Sequence, residues 1–164
     1  MSRRPLRHGA SPVLLTVAGA LALGAAGVAA SGTSSAPVRT ELGATSRVAA
    51  APGRTLGLFK VTIPAHAQLA LHRHPGSQVA FVAQGALTYF VRTGEVDVMS
   101  GPPESGAKVI RRIKHGESAT IKTGQWIVEQ PTTIHRAMNG GSQEIVIYLA
   151  TLLKTGSPVS IPVK

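Results

Sequence analysis

The stretch His72-Arg73-His74-Pro75-Gly76-Ser77-Gln78, with Gly85 following it, decides how this chain is interpreted. Side chains on a β-strand alternate between its two faces, so two histidines separated by one residue point to the same side. Two imidazoles on one face can bind a single metal ion. A third candidate ligand, His135, lies much further along, in His135-Arg136-Ala137-Met138-Asn139. The pattern predicts a small β-barrel with a mononuclear metal site inside it.

The sequence around these histidines predicts strands and no helices. From Arg54 onward, short apolar and β-branched runs alternate with Gly, Pro, Asn and Ser, and no segment shows a capped helical stripe. Many short strands at such spacing favour one antiparallel sandwich or barrel. Residues 99–107, rich in Gly, Pro and Ser, are predicted to form a long loop. The predicted strands are 56–63, 68–72, 78–83, 86–92, 108–114, 118–122, 125–129, 135–139 and 144–152.

The spacing of the first histidine pair resembles the first motif of the cupin superfamily. That motif is glycine, five residues, His-x-His, three or four residues, glutamate, six residues and glycine. His72, His74 and Gly85 fall in register with it. The chain departs from the motif at two positions, since Gln78 occupies the place of the glutamate and His66 that of the opening glycine.

The second cupin motif is matched around His135. It is glycine, five residues, Pro-x-Gly, two residues, histidine, three residues and asparagine, and Gly124, His135 and Asn139 fall in register. Gln130 stands at the proline position and Thr132 at the second glycine. Both motifs occur in the right order, and the resemblance covers about residues 55–153.

The resemblance implies an all-β, single-domain jelly-roll barrel over residues 54–153, with the ligands pointing inward. Carried over position by position, the ligands would be His72, His74, Gln78 and His135. Three neutral imidazoles suit Zn, Mn, Fe, Ni or Cu, and an amide oxygen can act as a weak fourth ligand. Replacing glutamate by Gln78 removes one negative charge. It also removes the carboxylate that serves as general base in several metal-dependent cupin dioxygenases.

Other residue types limit the chemistry further. The seven acidic residues, interpreted as scattered over loops, leave little room for the paired carboxylates of a glycosidase. The absence of cysteine excludes disulfides, thiolate ligands and a cysteine nucleophile. Gly85 and Gly124 are predicted to serve turns that need positive φ, and Asn139 to close a turn through its side chain. His66 is predicted in a turn, although its strand parity with His72 leaves an inward position open.

The first 30 residues are interpreted as an export signal. Arg3, Arg4 and Arg7 precede an uncharged run over residues 11–30, whose last small residues offer a cleavage point. The run is long enough for an uncleaved membrane anchor as the alternative. The start partly matches a twin-arginine signal, the alternative to an ordinary secretory leader. A secreted or envelope-associated location follows, with residues 31–53 as a flexible linker or loosely docked arm and 154–164 as a tail.

Three functional hypotheses remain open. The first is an exported cupin that binds one divalent metal and a small organic molecule. If this cupin is an enzyme, it is an oxygenase, isomerase or lyase. The second is a non-enzymatic small-ligand or assembly module with a degenerate metal site. In the third, the basic chain, with a formal charge of +10, stays anchored and binds an anionic envelope polymer.

The basic cluster at residues 108–114 is interpreted as a solvated strand face, so nucleic acid is not an expected partner. The resemblance implies a homodimer.

Overall fold

A computed structural model of the chain describes residues 35–164, and within that range it contains strands and one short 3-10 turn but no α-helix. The strands are β1 (Val38–Thr45), β2 (Arg54–Ile63), β3 (Gln68–Arg73), β4 (Gly76–Gln84), β5 (Ala86–Thr93), β6 (Val96–Ser100), β7 (Lys108–Ile113), β8 (Ser118–Lys122), β9 (Gln125–Glu129), β10 (Ile134–Met138), β11 (Ile145–Lys154) and β12 (Ile161–Pro162).

The strands form two antiparallel sheets. The seven-stranded sheet has the order β1-β2-β11-β4-β9-β6-β7, and the five-stranded sheet has the order β12-β3-β10-β5-β8. Alternation along the strands fixes the inner faces, as in β2, where Phe59, Val61 and Ile63 are buried while Leu56 and Leu58 are exposed. The apolar side chains of both inner faces form one core between the sheets.

All nine predicted strands are present, with ends that agree to within two residues. The predicted fold class, an all-β two-sheet structure, is therefore confirmed. Most of these strands have a side that is buried at every second residue, which is the signal by which they were predicted, whereas β7 is exposed up to Ile113.

The segment predicted as a flexible linker or loosely docked arm contains a strand, so the linker interpretation is wrong over Val38–Thr45. This strand, β1, pairs antiparallel with β2 along its length. All eight of its side chains are exposed, so it carries no apolar alternation by which a strand is normally predicted. The predicted tail is also ordered at Ile161–Pro162, which pairs with β3.

The predicted loop over residues 99–107 is shorter than expected. Strand β6 continues to Ser100, because Met99 pairs with Trp126 on one side and Val109 on the other. A 3-10 turn over Pro103–Ser105 lies within the remaining loop.

The turn predictions are confirmed. Gly85 and Gly124 have φ of 88° and 83°, values that glycine adopts without steric cost. The buried side-chain amide of Asn139 lies within hydrogen-bond distance of the Ile63, Pro64 and Gln143 carbonyls and so holds the end of β10 against the β2–β3 turn.

His66 lies in that β2–β3 turn, exposed, with a φ of 61°. It therefore takes a left-handed conformation at the position where the cupin motif has glycine. His66 therefore does not face inward, which was the alternative that its strand parity with His72 left open.

The predicted export signal over residues 1–30 and the first four residues of the predicted linker lie outside the described residues. Within residues 35–164, no helix has the length and apolar character needed to cross a membrane.

Candidate metal centre

Two pairs of polar residues on neighbouring strands meet inside the barrel. His72 on β3 is paired in register with His135 on β10, in the five-stranded sheet. Gln78 on β4 is paired with Glu129 on β9, in the seven-stranded sheet. Directly opposite residues share a face of their sheet. Both pairs line the cavity between the sheets.

The three predicted histidines come together. His74 lies between β3 and β4, and its ring centroid is 4.9 Å from that of His72 and 5.2 Å from that of His135. The rings of His72 and His135 are 4.4 Å apart. One nitrogen from each ring lies within 4.8 Å of the others. His74 and His135 are 1% and 2% exposed, and His72 is half-buried, so one edge of the group faces the opening.

Backbone carbonyls set the orientation of two of these rings. His74 Nδ1 lies 2.6 Å from the Val159 carbonyl oxygen, and His72 Nδ1 lies 2.7 Å from the Ala70 carbonyl oxygen. A carbonyl only accepts, so each Nδ1 carries the proton and donates it. In the neutral rings the lone pair is then on Nε2, and this is the arrangement common to histidines that bind metals.

Gln78, predicted as the fourth ligand, is 4% exposed and lies beside His74. Its Nε2 is 3.1 Å from His74 Nε2 and also donates to Glu129 Oε2. Its carbonyl oxygen Oε1 is buried with no hydrogen-bond partner. The structure therefore places Gln78 in the group but turns its donor, not its acceptor, towards His74.

Glu129 is the functional residue that the sequence analysis missed. It is 3% exposed, its Oε1 lies 3.0 Å from His135 Nε2, and its Oε2 lies 3.6 Å from His74 Nε2. The expectation that the acidic residues lie on loops is wrong for this one. The expected loss of negative charge at the site is wrong as well, because the neighbouring strand supplies a carboxylate. Strand parity with the buried Ile127 is the signal that could have indicated it.

Tyr89 on β5 completes the surroundings of this carboxylate. Its hydroxyl donates to Glu129 Oε1 at 2.7 Å, and its ring stacks on that of His135 with centroids 4.9 Å apart. Glu129 therefore accepts from Tyr89 and Gln78 and pairs with His135. Such a set of partners is what a buried charge requires.

Burial and charge act in opposite directions on the acid and on the imidazoles. Burial alone would raise the pKa of the Glu129 carboxyl, but His135, His74 and the Tyr89 hydrogen bond outweigh it and hold that pKa low. Burial, followed by the proximity of His135, lowers the pKa of His72 to about 4. Burial also lowers the pKa of His74, despite the opposing effect of Glu129. The site therefore combines a carboxyl whose pKa is held low with two imidazoles whose pKa values are lowered, so both shifts favour an anionic acid beside neutral rings.

The cavity that holds these groups is small. Its volume is about 40 Å³, whereas about 10–15 Å³ on this measure holds one water molecule. It therefore has room for an ion and a ligand of a few atoms. Arg39, paired with Val61 across β1 and β2, is the cation among its lining residues. Its other walls are apolar and include Val61, Leu69, Leu87, Ile127, Ile147 and Leu149.

The donor set fits a divalent transition metal. The Nε2 atoms of two rings carry no proton, a carboxylate lies within reach, and His135 Nδ1 and Gln78 Oε1 are buried without partners. Imidazole and carboxylate are ligands that such metals favour. The three histidines form a group that could hold a metal ion.

Comparison with known proteins bears on the fold. Neither a protein-family model nor a curated protein matches the sequence, but solved structures do. A cupin 2 domain-containing protein from Halorhodospira halophila matches with a TM-score of 0.50 and 14% identity, over 79% of this chain and 71% of that one. A cupin-domain protein from Bordetella pertussis gives 0.41 and 13%, over 71% and 93%.

The chain has the cupin fold. The Halorhodospira cupin carries this conclusion, and it extends to the fold alone at such low identity. Oxalate decarboxylase from Lactobacillus farciminis also matches, with a TM-score of 0.43 and 16% identity, over 66% of this chain and 26% of that enzyme. The match spans about a quarter of that enzyme, and the site of the present chain rests on the geometry given above.

Proposed function

We propose that this chain binds one divalent metal ion inside the barrel and presents it to a small ligand. His72, His74 and His135 hold the ion, and Gln78 and Glu129 lie beside them. The observation that carries the proposal is the convergence of three ring nitrogens within 4.8 Å of one another. Two of the rings are already oriented by backbone carbonyls, which leaves their Nε2 atoms unprotonated. Zn, Mn, Fe, Ni and Cu are the candidate ions.

The ligand that fits this cavity is a small anion. Arg39 is the cationic side chain of the lining, and Glu129 is the acidic one. With a divalent ion bound, the group carries a net positive charge, which favours an anionic ligand of a few atoms. When bound, the ion would supply Lewis acidity towards such a ligand or a site of oxygen activation. Oxygenase, isomerase and lyase reactions remain the proposed classes.

The test is metal content after reconstitution of the full chain with each candidate ion in turn. We expect near-stoichiometric metal in the parent protein and little in His72→Ala or His135→Ala, because each loses one of three imidazole ligands. His115→Ala, which alters an exposed histidine outside the cavity, is the matched control and should bind like the parent. Parent protein without metal after all five reconstitutions, or equal metal in every variant, would refute the proposal.

A second candidate function is a non-enzymatic assembly module, and one observation favours it. The apolar outer face of the seven-stranded sheet presents exposed apolar side chains from β2, β4 and β11. They are Leu56, Leu58, Val79, Phe81, Tyr148 and Leu152. Patches of this kind mark interaction surfaces. A second copy of this chain is the occupant we propose, since apolar patches of this kind can pair with one another across a twofold axis. Lys60, opposite Tyr148 on β2, is a charged side chain beside them.

Export and an anionic envelope polymer as partner are further proposals, supported by the sequence of residues 1–30 and by the basic charge. The side chains of Arg111 and Arg112 on β7 are exposed. Each pairs with an acidic neighbour, Glu117 and Asp97 respectively, so the charge they offer to a polymer is partly compensated.

A further inference from the structure

We propose that Glu129, and not Gln78, supplies the fourth protein ligand of the metal centre. The carboxylate that the cupin motif would place at position 78 is thus provided by the paired residue of the neighbouring strand. Gln78 is then a positioning residue that holds Glu129 in place. This inference rests on the proposed metal-binding function and names the ligand set of that site.

The distances from Glu129 to two imidazoles are close to those between ligands of a single ion. Donor atoms about 2.1 Å from one metal, and about 90–110° apart, are separated by about 3.0–3.4 Å. Oε1 of Glu129 lies 3.0 Å from His135 Nε2, within this range, and Oε2 lies 3.6 Å from His74 Nε2, slightly beyond it. The carboxylate therefore already lies at a ligand's distance from His135 and needs only a small shift to reach that distance from His74.

The orientation of the Gln78 amide argues against Gln78 as the ligand. An ionised carboxylate only accepts hydrogen bonds, so the amide group that contacts Glu129 Oε2 must be the NH2 end. The same Nε2 lies 3.1 Å from His74 Nε2. To offer its oxygen to an ion beside His74, Gln78 would have to flip and lose its bond to Glu129.

Pairing in the sheet explains how a glutamate at position 129 can take the place of one at position 78. Gln78 and Glu129 are directly opposite on β4 and β9, so both side chains start from the same inner face at neighbouring positions. A carboxylate at either position can reach the same cavity. Tyr89 and His135, which contact Glu129 Oε1 from the other sheet, make position 129 the one that is prepared for the charge.

Four variants of the full chain test this assignment: Glu129→Gln, Gln78→Leu, the exchange Gln78→Glu/Glu129→Gln, and Glu117→Gln as a matched control. Glu117 is a partly exposed glutamate that pairs with Arg111 outside the cavity. Zinc affinity is measured by competition with a chelating dye, and the cobalt(II)-loaded proteins are compared by visible absorption, which reports the ligand set. Thermal melting of each metal-free variant checks that it folds.

Loss of an outer partner of a metal ligand costs about 10–100-fold in affinity. We expect Gln78→Leu to weaken zinc binding about 10-fold and to keep the parent cobalt spectrum. Glu129→Gln should weaken binding more than about 100-fold, beyond the range for an outer partner, and should change the spectrum. The exchange variant, which keeps one glutamate in the pair, should recover most of the lost affinity.

Parent-like affinity and spectrum in Glu129→Gln would overturn the assignment, as would an exchange variant that folds but does not recover. A larger loss in Gln78→Leu than in Glu129→Gln would assign the fourth position to Gln78. These results differ from failure of the proposed function, in which the parent itself binds no metal and the histidine variants make no difference.

Discussion

At the scale of single residues, the centre depends on how a charge is kept in an apolar interior. Glu129 is buried among groups that donate to it from three strands. Removing one donor leaves part of that charge uncompensated. This costs more free energy than replacing the charge and its partners together by apolar side chains. His72 differs from this arrangement because it is half-buried and its Nε2 has no protein donor competing for it among the described contacts. It is therefore the imidazole most ready to accept an ion from the opening.

The stability of the metal-free protein should depend on pH through His72. Burial, then His135, lowers its pKa from 6.5 to about 4. Between these values the unfolded chain takes up a proton that the folded protein does not bind, so stability is full above pH 6.5 and falls as the pH drops towards 4. His74, whose pKa is also lowered by burial, acts in the same direction. Thermal melting of metal-free protein across this range measures the effect.

The variant His72→Gln should lose part of this pH dependence, because it removes one group that must stay neutral in the fold. The exposed His115→Gln should keep it. A melting temperature that is flat between pH 7 and 4 in the parent, or an unchanged slope in His72→Gln, would contradict the prediction.

The sequence correctly indicated that three of these residues come together, for a physical reason. Histidine is uncommon in apolar strands, so His72, His74 and His135 are visible against their neighbours. Glu129 ends a five-residue strand beside Gln130 and Pro131, where a glutamate is ordinarily the first solvated residue after a strand. Only its pairing with Gln78 indicates otherwise, and that register depends on contacts 51 positions apart in the chain.

At the scale of elements, β1 contributes a charge to the cavity and almost nothing to the core. Its side chains are exposed, yet its pairing with β2 puts Arg39 on the same face as the buried Val61. The pairing is made by the backbone, which any residue type can supply. This is why composition alone indicated a linker there. Strand β6, also missed, does carry buried Val96 and Val98, but five residues are too short a run to separate from a loop.

Arg39 should set the preference for anions. In cobalt(II)-loaded full chain, Arg39→Gln should weaken the binding of azide about fivefold, the size expected for about 1 kcal/mol from a partly solvated charge. Spectroscopic titration measures the affinity. Arg47→Gln, an exposed arginine just beyond β1, is the matched control.

Folding should be unaffected in both arginine variants, because neither side chain packs in the core. Equal azide affinity in the parent and in Arg39→Gln would show that the ion alone selects the anion. A loss of the same size in Arg47→Gln would assign the effect to net charge.

At the scale of the whole molecule, the seven-stranded sheet is apolar on both sides near its centre. Its inner side forms the core, and its outer side carries Phe81, which is 40% exposed, and Tyr148, which is 39% exposed. An ordinary antiparallel sheet keeps one side polar. The sequences of β4 and β11 show apolar residues on both faces of each strand. They do not indicate which of the two faces lies in the core, because that depends on how the sheets pack.

The apolar outer face should hold two copies together. We expect the full chain to sediment as a dimer and Phe81→Lys to sediment as a monomer, because a lysine at the centre of the face would be buried without a partner. Val109→Lys, at an exposed apolar position on the edge strand β7, should remain dimeric. A parent protein that is monomeric at all concentrations would refute this, as would a Phe81→Lys variant that stays dimeric.

The hydrogen bond from His74 to Val159 joins residues that lie 85 positions apart. The proton on His74 Nδ1 is therefore held by a segment that lies beyond β11. A substitution that shifts the Val159 carbonyl would reach the metal centre without altering any residue that lines its cavity.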